Sequence, residues 1–144
     1  MTMTNKEIFA LFIPLVDFLR EIMGENTEIL LHDLSQPDNS VIAISHGFHS
    51  GRTIGSPVTD LAMDIQNSQS YKKANYLTHY RAISKGKQYL SSTYYIKNGD
   101  ELIGMLCLNT DIQPVQSFAD AMKNIMKATN LGAFVDETPD TKTI

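Results

Sequence analysis

Residues 76–110, YLTHYRAISKGKQYLSSTYYIKNGDELIGMLCLNT, decide the fold class. Three runs rich in β-branched and aromatic residues are separated by Lys85-Gly86-Lys87 and by Asn98-Gly99, and an Asn-Gly pair between apolar runs is a strong signal for a tight hairpin. Three consecutive antiparallel strands are expected, over about 77–84, 88–97 and 101–110.

Upstream, Thr27–Leu34 reads as another strand, with Ile29 and Leu31 on one side and Leu30 and His32 on the other. Ser35–Asn39 is a turn by composition: its proline fixes a dihedral, and its Asp and Asn bond back to their own backbone. Ser40–Ser45 completes a two-strand hairpin. Gly47, Gly51 and Gly55 then interrupt any regular element and imply a closely folded loop. Ser56-Pro57 reads as a helix start, with Val58, Leu61, Ala62 and Ile65 on one face. Residues 66–75 read as loop or irregular helix.

Both ends of the chain read as helical. Thr4 and Glu7 form a T-x-x-E capping box, followed by Ile8, Leu11, Phe12, Leu15, Leu19 and Ile22 at helical spacing and by Gly24 as a stop. Pro14 is expected to kink or divide this helix. Phe9, Ile13, Val16 and Phe18 widen its apolar stripe beyond one packing partner, so the helix is either deeply buried or shared with a second subunit. Pro114 opens a last helix with Val115, Phe118, Met122 and Ile125 in a stripe, ending near Gly132, and residues 136–144 read as a flexible tail or the start of a linker.

This order of elements, hairpin then inserted segment then three-strand meander, cannot form a doubly wound parallel sheet. It specifies an α+β fold: a five-stranded antiparallel sheet with helices on one face plus N- and C-terminal helices. The segment from Gly47 to Asn75 must cross a sheet face, and a pocket between that face and the crossing segment is the natural ligand site.

Composition narrows the function classes. With 144 residues, 42% hydrophobic, the chain is one domain's worth; its net charge is −4 and its twelve Lys and Arg are dispersed, which gives no footprint for a phosphate backbone. Cys107 is the single cysteine, there is no signal-peptide pattern, and no apolar run is long enough to span a bilayer. A cytoplasmic protein that makes no contact with membrane is expected.

The succession of LHDL (31–34), the Pro-x-x-Ser turn (37–40), SVIAI (40–44), HSGRTIGSPVTDLAM (49–63) and YLSSTYYIKNGDELIGMLCLNTDI (89–112) resembles the YheO-like PAS domain of bacterial helix-turn-helix transcriptional regulators. The resemblance runs from about Ile8 to about Phe134 and departs from the expected pattern at His46-Gly47, where Asn-Gly would follow the second strand. It implies a PAS-like sensor domain over 1–135, and a helix-turn-helix that binds DNA in a C-terminal domain absent from this chain.

Arg52 sits among glycines, where a guanidinium can clamp a carboxylate or phosphate, or can pair with Asp33 or Asp60 and staple the insertion in place. Thr59 and Asp60 lie at a helix start that favours an anion. One of Ser91 and Ser92 must face the covered side with Cys107 or Asn109, because neighbours on a strand point to opposite faces. The expected ligand-binding set is His32, Asp33, His46, Arg52, Thr59, Asp60, Ser92, Cys107 and Asn109. Arg52 would meet a carboxylate and Asp33 or Asp60 an ammonium, so the ligand would be a small polar metabolite, amino-acid-like. His32, Asp33, His46 and His49 lack the spacing of a metal site, and no metal or cofactor is expected. No nucleophile elbow, phosphate loop or dinucleotide motif occurs, so the chain reads as a non-enzyme. The function expected is a small-ligand-sensing and homodimeric regulatory domain; the alternatives are a structural dimerisation module without ligand and a small metal-dependent enzyme.

Overall fold

A computed structural model of the chain describes residues 2–131. The elements are helix α1 (Asn5–Met23), strands β1 (Thr27–Asp33) and β2 (Val41–Ser45), helix α2 (Asp60–Ser68), strands β3 (Tyr76–Ser84), β4 (Lys87–Asn98) and β5 (Glu101–Asp111), and helix α3 (Gln113–Thr129), with single 3-10 turns at Pro37–Asn39, Gly47–His49 and Ser70–Lys72. The boundary at 135 and the tail over 136–144 lie outside the described residues.

The five strands form one antiparallel sheet in the order β2-β1-β5-β4-β3. Strands β2 and β3 are consecutive in the chain yet occupy opposite edges, so the segment between them has to traverse a face of the sheet. It does so with α2, whose Ala62 and Ile65 pack on Leu30, Val41, Tyr95, Met105 and Cys107. Helix α1 covers the other face, where Phe9 and Val16 meet Ile29, Leu31, Ala43, Ile96, Ile103 and Leu106. The expected parity of β1 holds, with Ile29 and Leu31 toward α1 and Leu30 toward α2.

Helix α1 begins with the expected capping box: Glu7 N–H donates to Thr4 Oγ1 at 3.2 Å and Thr4 N–H to Glu7 Oε1 at 3.1 Å. Of the kink or division expected at Pro14, the division does not occur, since one helix runs through it. Proline leaves the carbonyl four residues earlier without its helical donor. That residue is Ala10, and both Ala10 and Pro14 face solvent, so the carbonyl is open to water and the loss of its donor is cheap. Beside the core stripe, Leu11 (64% exposed), Phe18 (58%) and Ile22 (60%) form a second apolar row that the sheet does not cover.

Helix α2 starts later than Ser56-Pro57 suggests. Its cap is Thr59, whose Oγ1 accepts the Ala62 N–H at 2.9 Å. Residues 55–58 are instead pinned alongside β2: Gly55 N–H donates to Val41 O, Val41 N–H to Ser56 O and Val58 N–H to Pro37 O. The helix then runs to Ser68, and the remainder of 66–75 contains the Ser70–Lys72 turn.

Both hairpins of the meander are tight. Lys85 (φ 52°) and Gly86 (φ 78°) are both left-handed, the pattern of a type I′ turn; between β4 and β5 only Gly99 has positive φ (62°), so the turn residues are Gly99-Asp100 and not Asn98-Gly99. Two irregularities shape the sheet. In β5 the pairing jumps from Ile96↔Gly104 to Lys97↔Leu102, and Ile103 is the extra residue. A Cβ on Gly104 would collide with the Phe9 ring and the His32 carbonyl, so glycine is what lets α1 approach there. In edge strand β3 the pairing slips between Leu77 and Tyr80, with His79 left-handed (φ 56°) and its N–H donating to Ser92 Oγ at 3.1 Å.

Residues 2–111 form one compact unit, and α3 belongs to a second that begins at Ile112. Pro114 occupies its first turn, Gln113 Nε2 donates to Ser117 Oγ, and the helix closes at Asn130 in the left-handed conformation, two residues short of the expected Gly132. Val115, Phe118, Met122 and Ile125 fall on one side of it.

Candidate functional site

Between the sheet and the crossing segment lies a cavity of about 250 Å³. Its floor is built from alternate residues of the strands: Glu28, Leu30 and His32 on β1, Cys107 and Asn109 on β5, Tyr89 on β4, and Tyr80 and Ala82 on β3. Ser50 and Arg52 from the glycine loop and the first residues of α2 close the other side. Gly47 lets the loop fold this tightly, because a Cβ there would meet the Arg52 carbonyl and the Ile44 side chain.

Six of the nine expected residues line this cavity: His32, Arg52, Thr59, Asp60, Cys107 and Asn109. Asp33, His46 and Ser92 do not. Asp33 is one residue out of phase with His32, and its Oδ1 accepts the Ser35 N–H (3.0 Å) and hydroxyl (2.7 Å) to close the turn after β1. His46 is left-handed at the end of β2, where its Nδ1–H donates to Thr27 O at 3.2 Å. Ser92 faces away and receives the His79 N–H. Its neighbour Ser91 is the buried one, donating to Asn109 Oδ1 at 2.7 Å.

Five polar lining residues escaped the sequence reading: Glu28, Ser50, Tyr80, Ser84 and Tyr89. Glu28 is 1% exposed. One of its oxygens accepts both the Ser50 N–H (3.1 Å) and the Ser50 hydroxyl, and the other accepts Asn109 Nδ2–H at 3.3 Å. A signal for it existed in the two-residue period of β1, which puts Glu28 in phase with Leu30 and His32.

Burial sets the protonation of the floor. His32 donates or accepts through Nδ1 to Ser40 Oγ at 2.8 Å, and burial, aided by the nearby Arg52 guanidinium, lowers its pKa to about 4. Burial raises Cys107 to about 11 and Tyr80 to about 12. Near pH 7 the imidazole, the thiol and the phenol are therefore neutral. Tyr80 donates to Thr93 Oγ1 (2.6 Å), which in turn donates to Cys107 Sγ (3.4 Å), so these hydroxyls are tied into the sheet. Arg52 differs from all of them: its guanidinium lines the cavity and makes no hydrogen bond or ion pair with the described residues, Asp33 and Asp60 included. Such an arrangement can hold an anionic group.

Among the described residues no three His, Cys, Asp or Glu side chains are grouped to hold a metal ion, and no helix is long and apolar enough to cross a membrane. His46 and His49 each bond to backbone carbonyls, those of Thr27 and Glu25.

The family model of the YheO-like PAS domain matches residues 3–127. The chain belongs to that family. This YheO-like PAS domain is 35% identical over 114 residues to the Escherichia coli (strain K12) protein YheO, an alignment covering 76% of the chain and 46% of that protein. It is 34% identical over 119 residues to a Haemophilus influenzae protein, covering 79% and 52%. The chain thus spans about half the length of the curated relatives it matches. A solved structure of an RNA-binding light-oxygen-voltage receptor aligns over 92% of this chain and 42% of its own, with a TM-score of 0.47 and 10% identity. Membership assigns the chain to a sensory and regulatory fold that is not typically catalytic.

Proposed function

We propose that this domain senses a small polar metabolite, amino-acid-like, and acts as a homodimeric cytoplasmic part of a transcriptional regulator whose DNA-binding helix-turn-helix lies outside this chain. The observation that carries the reading is the Arg52 guanidinium, which lines the cavity with no hydrogen-bond or ion-pair partner among the described residues. Arg52 is half-buried, its donors are unused by the protein, and a ligand carboxylate is the partner that its fork geometry suits. The candidate ligand set keeps His32, Thr59, Cys107 and Asn109 as the polar wall around that anchor. The exposed row Leu11, Phe18 and Ile22 on α1 supports a second copy as partner, since such a row on a surface helix marks an interaction face. The greater length of the relatives leaves room for an output module beyond the sensor.

A ligand specific for the folded domain raises its apparent stability. Thermal shift against a metabolite panel, followed by calorimetry of the hits, tests the reading. At least one small carboxylate-bearing compound should raise the midpoint of the wild-type domain and leave Arg52→Ala unmoved. Equal affinity in Arg52→Ala removes Arg52 from the site.

A further inference from the structure

Glu28 is a carboxylate with almost no exposed surface, and every donor that reaches it is neutral: the Ser50 N–H, the Ser50 hydroxyl and the Asn109 amide. No Lys, Arg or His lies within ion-pair distance of it among the described residues. The cationic residue across the cavity, Arg52, follows Ser50 by two residues and is fixed by the same loop, yet the two charges do not touch. The fold therefore presents a separated pair of opposite charges to one cavity, each without a charged partner.

The oxygens of Glu28 are not equally used. A carboxylate offers about four acceptor positions. Ser50 takes two on Oε2, and Asn109 takes one on Oε1. The remaining position is on Oε1. The Asn109 amide cannot turn to compete for it, because its Oδ1 is held by the Ser91 hydroxyl, which leaves Nδ2 as the group facing Glu28.

The two acids first considered for an ammonium serve less well. Asp33 lies off the cavity and closes its own turn. Asp60 lines the cavity but is exposed in the first turn of α2, where water and the helix dipole already compensate its charge. We infer that Glu28 is the specificity residue that accepts a cationic group of the ligand, so that the cavity takes a small zwitterion, anionic group on Arg52 and ammonium on Glu28, in preference to a plain anion. This rests on the proposed sensing role of the same cavity. The size agrees: a cavity of about 250 Å³ lies just below the roughly 300–1,000 Å³ of sites for drug-sized ligands and suits a molecule on the scale of a free α-amino acid.

Calorimetry on the wild-type domain with α-amino acids in both enantiomers, each paired with the hydroxy acid that replaces its ammonium by a hydroxyl (alanine with lactate, serine with glycerate, aspartate with malate), decides the matter. The amino acid of a binding pair should bind about tenfold or more tightly than its hydroxy acid, and Glu28→Gln should narrow that gap to roughly threefold or less. Equal affinities within the wild-type pairs overturn the role of Glu28 while leaving the Arg52 reading in place. A gap that survives in Glu28→Gln does the same. Absence of binding by every pair overturns both. The wild-type comparison stands alone if the variant does not fold.

Discussion

Ser50 gives both its backbone N–H and its hydroxyl to the same oxygen of Glu28, so the start of strand β1 holds the loop that carries Arg52. The Arg52 N–H donates in turn to Ser50 Oγ at 3.3 Å, which extends the same chain of bonds to the cationic residue itself. Ser50→Ala removes one donor from a buried carboxylate, a change that costs about 1–3 kcal/mol. Urea denaturation should show that loss, and the variant should also bind the Arg52-dependent ligand more weakly, because the loop loses a tether.

Stability should fall as pH drops from 6.5 toward 4. His32 is neutral in the folded protein with a pKa of about 4, against about 6.5 when unfolded. A depressed pKa means that the unfolded chain binds the proton first, so the contribution is fully present above pH 6.5 and is lost as pH falls through the folded value. The full span, 2.5 units at 1.36 kcal/mol each, is on the order of 3 kcal/mol. Denaturation midpoints measured between pH 4 and 7 should show this slope, and His32→Gln should flatten it.

Gly104→Ala should destabilise the domain by about 1–3 kcal/mol through overpacking. The new methyl group meets the Phe9 ring and the His32 carbonyl, and the backbone atom cannot move aside as a side chain would. Thermal or urea unfolding reads the effect. A neutral outcome would mean that α1 does not lie against β5 as described.

Cys107 should resist thiol reagents in the native state. It is 7% exposed, and burial holds its pKa near 11, so little thiolate is present at pH 8. Dithionitrobenzoate should react with it in denaturant and only slowly without; fast native labelling would show that the cavity opens to reagent.

Phe18→Glu should convert a dimer into a monomer without unfolding it, because Phe18 lies in the exposed row of α1 and outside its core stripe. Light scattering of wild type and variant at high micromolar concentration reads both masses. A monomeric wild type would remove α1 as the dimer surface.

The strands and hairpins were legible because their signals are local. The Thr4–Glu7 box and the hairpin signal at Asn98-Gly99, one residue off the turn itself, each lie within four residues, and the two-residue period of β1 assigned Ile29, Leu31, Leu30 and His32 to their faces. The site was legible only in part, for reasons of register. Whether Ser91 or Ser92 takes the cavity side of the sheet turns on a one-residue choice, which the His79 bulge and the partner strands settle and no local pattern does. Glu28 was missed because a charged residue at a strand start reads as solvated; its burial depends on Asn109 and Ser50, 81 and 22 residues away. The Ser56-Pro57 start failed because residues 55–58 found better partners in β2 and Pro37.

The left-handed turn of His79 has a bearing on assembly. A sheet grows by offering an unbroken row of amides and carbonyls at its rim, and β3 is such a rim. With one residue twisted out of extended geometry and its N–H spent inward on Ser92, that row is interrupted. A second chain cannot simply continue the strand ladder there. Next to His79 side-chain contacts have to replace the ladder, which favours partners of matching shape there and discourages the indiscriminate stacking to which bare sheet edges are prone.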